Sequence, residues 1–195
     1  IMHRLRSVKS KEEIELMQKA CDITGSAFRR VLAFVKPGVA EYEIEAEYAH
    51  EFLRKGSRGF AYEPIIASGA NSCVLHYIVN DQVCHDGDVL LLDVGAEYAN
   101  YNADLTRTIP VNGRFTKRQR DVYSAVLRVQ RAAIKMLKPG GMYYDYHKEV
   151  QKLTESELIQ LKLIDREDVK KQNPEKPLFM KYFAHGTSHM LGLDV

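Results

Sequence analysis

An amphipathic helix, a Lys-Pro-Gly stop and a second helix occur twice along this chain, and that recurrence narrows the choice of fold more than composition does. Ser10-Lys11-Glu12-Glu13 is a capping box, in which the serine hydroxyl and the glutamate carboxylate satisfy orphan N–H groups at a helix start. Ile14, Met17, Cys21, Thr24, Phe28, Val31 and Val35 follow at the spacing of one helix face, and Pro37-Gly38 ends the run. Ile44, Tyr48 and Phe52 mark a shorter helix that ends near Gly56. Thr116-Lys117-Arg118-Gln119 caps the second occurrence, which carries Val122, Val126, Val129 and Ala133 and stops at Lys138-Pro139-Gly140. A further helix runs through Tyr146, Val150 and Leu153. Between the two occurrences lie strand-like segments at 59–68, 74–80, 88–97 and 101–110. A duplicated α+β unit is the simplest organisation, with chance recurrence of a common helix stop as the competing explanation. The second copy reads as unfinished: a polar connection at 165–176 leads to one strand-like stretch, 178–183, and no second hairpin follows.

The stretch from Val89 to Thr108 carries the most chemistry. Val89-Leu90-Leu91-Leu92 is a continuous apolar run, as expected of a strand covered on both faces, and Asp93 extends it without a turn signal. If Tyr98-Ala99 form a two-residue turn, Glu97 pairs with Asn100 and Asp93 faces Asp104 directly, with Cβ atoms roughly 5 Å apart. Two facing carboxylates cost stability unless a proton or a cation lies between them. A pairing displaced by one residue would instead put them on opposite faces. A single aspartate there would merely end a strand or pair with Arg107. For two acids the metal reading stands level with that one.

Histidines supply the other candidates. His185-Gly186-Thr187-Ser188-His189 spaces two imidazoles so that they can share a helix face, but it is not H-E-x-x-H, which excludes a simple zincin. A hydrogen-bonded pair of loop histidines is the plainer reading. His76, in Val74-Leu75-His76-Tyr77, reads as a satisfied histidine in a β-prone segment, or as a proton donor or oxyanion stabiliser beside a metal. His3, His50, His85 and His147 receive no role.

Composition removes several classes. The 28 basic and 26 acidic residues are well mixed and leave a net charge of +2, so no basic face offers itself to nucleic acid or an anionic membrane. No apolar run approaches a membrane span, and no signal peptide opens the sequence. Cys21, Cys73 and Cys84 show no C-x-x-C spacing and cannot all pair within one chain, which favours the reducing cytoplasm. Gly-rich phosphate loops and G-x-S-x-G elbows are absent.

Five ordered segments together resemble the metallopeptidases of the pita-bread fold, family M24, and most closely their aminopeptidase P (Xaa-Pro aminopeptidase) branch. They are Ser68–Tyr77, Asp93–Tyr98, Asp104–Thr108, Pro110–Thr116 and His185–Val195, and the likeness covers essentially the whole chain. The resemblance implies an α+β pita-bread domain with duplicated halves around a curved antiparallel sheet. It implies that Asp93, Asp104 and His189 are metal ligands, with Asp104 bridging two divalent ions, commonly manganese in this branch. His76 and His185 correspond to histidines that contact substrate and stabilise or shuttle protons in the transition state. The implied reaction is hydrolysis, by water activated at the ions, of the bond between an N-terminal residue and a following proline. The implied partners are thus peptides with proline second, and further copies of the chain in a homo-oligomer. A non-catalytic peptide-binding module, a metal-free hydrolase of the creatinase type and an Xaa-Pro dipeptidase are the rival readings. Retained ligand acids count against the first two. Two further glutamate ligands are expected beyond Val195, residues 1–9 are expected to be a linker from an N-terminal domain, and residues 10–195 are expected to be a catalytic domain lacking its last strands. The 195 residues alone are expected to bind metal weakly and hydrolyse nothing.

Overall fold

Both capping boxes form. In the computed structural model, which describes residues 2–195 with side chains from Leu5 onward, the Ser10 hydroxyl accepts from the Glu13 N–H at 3.3 Å and the Ser10 N–H donates to the Glu13 carboxylate at 2.6 Å. Thr116 and Gln119 repeat the exchange at 3.2 and 2.8 Å. The chain divides into two compact units: the first takes it to residue 115 and includes residues 190–195, and the second is 116–189. Among the described residues no helix is long and apolar enough to cross a membrane.

In the first unit, α1 (Met2–Ser7) lies in the segment expected to be a linker, and α2 (Lys11–Phe34) and α3 (Glu41–Arg54) follow. The buried face of α2 is Ala20, Ile23, Thr24, Ala27 and Val31, whereas Ile14 is 56% exposed and Cys21 is exposed. Sequence patterning weights large apolar residues, but small Ala20 and Ala27 are what admit the helix to the core. The predicted face of α3 is correct, with Ile44, Tyr48 and Phe52 fully buried.

Six strands follow in two antiparallel sheets. β2 (Ile65–Ser68), β3 (Val89–Asp93) and β6 (Thr106–Pro110) form one, in the order β2-β3-β6; β1 (Gly59–Phe60), β4 (Ala96–Tyr98) and β5 (Tyr101–Asn102) form the other, in the order β1-β4-β5. The two sheets share one long ribbon. Its register continues between them through Val94 N–H to Leu105 O at 3.1 Å and Ala103 N–H to Ala96 O at 3.0 Å. Leu90, Leu92 and Val94 point to one side, where they pack with Ile23, Val31, Ile44, Tyr48 and Phe52. Leu91 and Asp93 occupy the half-buried side, so β3 has a single closed face, contrary to the expectation of two. That asymmetry is why a carboxylate can end the apolar run.

Two predicted strands do not form. Residues 74–80 contain no strand; a 3-10 turn over Gly69–Cys73 leads into an irregular loop with left-handed backbone at His76 (φ 55) and Asn80 (φ 50). Residues 178–183 begin as a 3-10 turn, Leu178–Lys181. In both segments β-prone side chains lack a strand to pair with, and propensity alone does not hold an extended chain.

The second unit contains α4 (Lys117–Met136), α5 (Tyr143–Gln160) and α6 (Arg166–Lys171). Arg128 of α4 forks onto Glu157 of α5 with contacts of 2.8 and 2.6 Å. Ala125 and Ala133 are buried on α4, while Val126, expected on the core face, is 63% exposed.

Candidate metal centre

The hairpin turn lies one residue later than its sequence suggests. Tyr98 pairs with Tyr101, and the two turn residues are Ala99 and Asn100, both left-handed at φ 51 and 70 as a type I′ turn requires. Asp93 therefore pairs with Thr106, not with Asp104. Sliding a two-residue turn by one position shifts every pairing by two, and a shift of two preserves which face each side chain occupies. Asp104 consequently stays on the face of Asp93, as its diagonal neighbour.

One atom shows how close the two acids come. The Tyr62 hydroxyl, from the segment between β1 and β2, lies 2.8 Å from Asp93 Oδ1 and 3.1 Å from Asp104 Oδ1. A phenol has one hydrogen to donate, so it can serve only one carboxylate at a time. Burial, reinforced by the charges of Asp93 and Asp104, pushes the Tyr62 hydroxyl far above its ordinary range, and it stays protonated. Asp93 is half-buried and Asp104 is exposed. Glycine is obligatory beside them: a Cβ at Gly95 would meet the Ala103 carbonyl oxygen at 1.8 Å and Tyr62 Cε1 at 3.0 Å. Tyr62 gives no signal in the sequence, because a tyrosine in Ala61-Tyr62-Glu63-Pro64 reads as an ordinary loop residue.

Two carboxylates that both reach one hydroxyl form an all-oxygen donor set of the kind that suits a hard or borderline divalent cation. Asp93 and Asp104 thus fit a metal. Among the described residues no group of three His, Cys, Asp or Glu side chains gathers around a cation position, so the pair by itself is not a complete cage.

His76 sits in the irregular loop of the same unit, with an exposed side chain. That loop is hung from α3. Glu41, fully buried, accepts from the Ser68 N–H and hydroxyl, both at 2.7 Å, from the Tyr77 hydroxyl at 2.7 Å and from the Gln82 N–H at 3.0 Å. The neighbouring Tyr77 hydroxyl is pushed up to about 12, chiefly by desolvation and then by its bond to Glu41. Asn80 ties the loop's end to Ile66, Pro64 and Glu45.

In the second unit, His185 and His189 are exposed and lie in irregular chain, not on the helix face that their spacing allowed. His185 Nδ1 lies 2.9 Å from the Gly186 carbonyl oxygen.

The profile of Metallopeptidase family M24 matches residues 15–195. The chain is 41% identical to the Xaa-Pro aminopeptidase of Escherichia coli, all of the chain aligning with 44% of that protein. It is 37% identical to human Xaa-Pro aminopeptidase 3, spanning 38% of it. The solved structure of proline aminopeptidase P II from Yersinia pestis superposes with a TM-score of 0.89 at 37% identity, covering the whole chain and 44% of that structure. A zinc-substituted E. coli aminopeptidase P in complex with product superposes at 0.86. The chain spans less than half the length of these relatives and matches an α+β, partial pita-bread region of them.

Proposed function

Because the chain belongs to metallopeptidase family M24, we propose that the full-length protein carrying it is a divalent-metal aminopeptidase that releases an N-terminal residue preceding proline. The carrying observation is the gathering of Asp93 and Asp104 on one hydroxyl. These two would hold metal through oxygen, and by family resemblance His189 would add an imidazole. Bound there, divalent ions, with manganese the best candidate, supply Lewis acidity and a nucleophilic water at neutral pH.

The chain's own residues do the rest. Both carboxylates lie within reach of the Tyr62 hydroxyl, which donates to one of them at a time, and Gly95 lets the ribbon close tightly enough to bring them there. His76 and His185 are the groups assigned to donate a hydrogen bond to the scissile carbonyl and to move a proton to the departing proline nitrogen. The substrate assignment is supported by the named activity of the relatives, which stand near 40% identity across the chain.

The test is hydrolysis of paired tripeptides with proline or alanine second by the full-length protein supplied with Mn2+. Release from the proline peptide, abolished by a chelator and by Asp104→Asn, is the expected result. Equal release from the alanine peptide, or an unimpaired Asp104→Asn, would sink the assignment.

A further inference from the structure

His147 was left without a role by its sequence context, yet one of its ring nitrogens meets Thr187 of the His185–His189 segment while the other is bonded to Gln151 of its own helix. We propose that His147 is a positioning residue for that segment, and that in each half of the chain the helix after Lys-Pro-Gly suspends that half's histidine loop from the same two positions. This deepens the proposed function and rests on reading His185 and His189 as site histidines.

Tyr143, His147 and Gln151 lie on one face of α5, each four residues from the next. His147 Nδ1 is 2.6 Å from the Thr187 hydroxyl, and His147 Nε2 is 2.8 Å from the Gln151 side-chain nitrogen. With the glutamine amide donating to Nε2, the ring hydrogen on Nδ1 is given to Thr187, and the two bonds together fix the ring's orientation. Tyr143 stacks on the ring, 6.0 Å away and 5° from parallel. The Phe183 ring lies 6.2 Å from that of His147 and 5.6 Å from that of His185. The chain at Gly186 runs so near that a Cβ would meet the Tyr143 hydroxyl at 3.0 Å. Every residue from Phe183 to Thr187 except Ala184 is thereby held against α5, or against a neighbour that α5 holds, and Thr187 stands midway between the two candidate histidines.

The first half uses the same positions. Tyr143 and His147 are the third and seventh residues after Gly140, and Glu41 and Glu45 are the third and seventh after Gly38. Glu41 holds Ser68, Tyr77 and Gln82, and the Glu45 carboxylate accepts from Asn80 at 2.9 Å, so the loop carrying His76 hangs from α3. Side chains have diverged from carboxylates to a tyrosine and an imidazole, while the place from which the loop is held has not. A residue kept only for packing would need neither ring nitrogen satisfied by the loop and its own helix.

The experiment uses the full-length protein with His147→Phe, which keeps a ring, Thr187→Val, which removes the hydroxyl at equal volume, and Thr187→Ser, which retains it. Two readouts are needed: amide hydrogen exchange over residues 183–189, and Mn2+ affinity from the electron paramagnetic resonance signal of the free ion. We expect exchange over 183–189 to quicken about tenfold in His147→Phe and Thr187→Val while the other helices keep their protection. Mn2+ affinity should fall roughly ten- to a hundredfold, as when an outer-shell partner of a metal ligand is lost. Thr187→Ser should behave as wild type in both. Unchanged exchange, uniform loosening of the whole second unit, or Thr187→Ser matching Thr187→Val would overturn the anchoring. Faster exchange with unchanged Mn2+ affinity would overturn the positioning role. Neither readout requires peptide cleavage, so failure of the aminopeptidase assignment would be seen separately, as absence of hydrolysis by the wild type.

Discussion

Replacing Gly95 by alanine tests the ribbon that brings the two aspartates together. The added Cβ would stand 1.8 Å from the Ala103 carbonyl oxygen and 2.7 Å from its carbon, both backbone atoms that no rotamer change can move aside. The strands must part at this point, which breaks the bonds from Val94 N–H to Leu105 O and from Ala103 N–H to Ala96 O. Each net backbone hydrogen bond contributes about 1 kcal/mol. Forcing a methyl into a filled site costs a further ~1–3 kcal/mol. The combined loss of about 3–5 kcal/mol is a large share of the roughly 5–15 kcal/mol typical of a folded domain. Gly25→Ala is the matched control: it lies within α2, its Cβ would meet only Arg29 Nη1 at 3.7 Å, and it should gain about 0.5–1 kcal/mol from helix propensity. Urea unfolding followed by far-ultraviolet circular dichroism gives both values by linear extrapolation. A Gly95→Ala loss below about 1 kcal/mol, or a Gly25→Ala loss as large as that of Gly95→Ala, would refute the close-approach argument.

Three other perturbations have signed outcomes. Tyr62→Phe leaves Asp93 and Asp104 without their shared donor, so the metal-free protein should lose about 1.5–3 kcal/mol, and added Mn2+ should raise the variant's melting temperature more than the wild type's; equal metal-induced shifts would contradict it. Ala99→Gly relieves a left-handed alanine (φ 51) in the hairpin turn and should stabilise by about 1 kcal/mol, read as a higher urea midpoint, against no gain if the turn is unstrained. The bonds from the Arg54 guanidinium, and then that from the Ser26 hydroxyl, hold Glu51 at about 2 against an ordinary 4.5. Because the folded value is the lower one, its contribution is fully present above 4.5 and is lost as pH falls toward about 2. Glu51→Gln should flatten the wild type's loss of stability across that window in unfolding curves taken from pH 2 to 6; an unchanged slope would count against the pairing.

What the sequence disclosed, and what it hid, divides along physical lines. Helices were legible where local chemistry decides them: Ser10 with Glu13 and Thr116 with Gln119 close as capping boxes, and both Lys-Pro-Gly runs end helices. The faces of those helices were read less well, because Ala20, Ala27, Ala125 and Ala133 make the close contacts while Ile14 and Val126 face outward. The turn was missed because Ala99-Asn100 is not an Asn-Gly pair, and the alanine is held left-handed by the ribbon instead of by its own preference. The same-face placement of Asp93 and Asp104 nonetheless survived that error, since parity along a strand is unaffected by a shift of two. Tyr62 and His147 were invisible for a different reason. Their roles come from partners 31 to 42 residues away in the chain, and nothing beside them in sequence marks them.

The paired aspartates are proposed to grip a cation. Anomalous diffraction from crystals of the full-length protein grown with Mn2+, with data collected at the manganese absorption edge, tests it most directly. The expected result is a peak within coordination distance of both the Asp93 and Asp104 carboxylates, with the Tyr62 hydroxyl no longer shared between them. A map with no peak there, or with manganese held only by residues elsewhere, would contradict it.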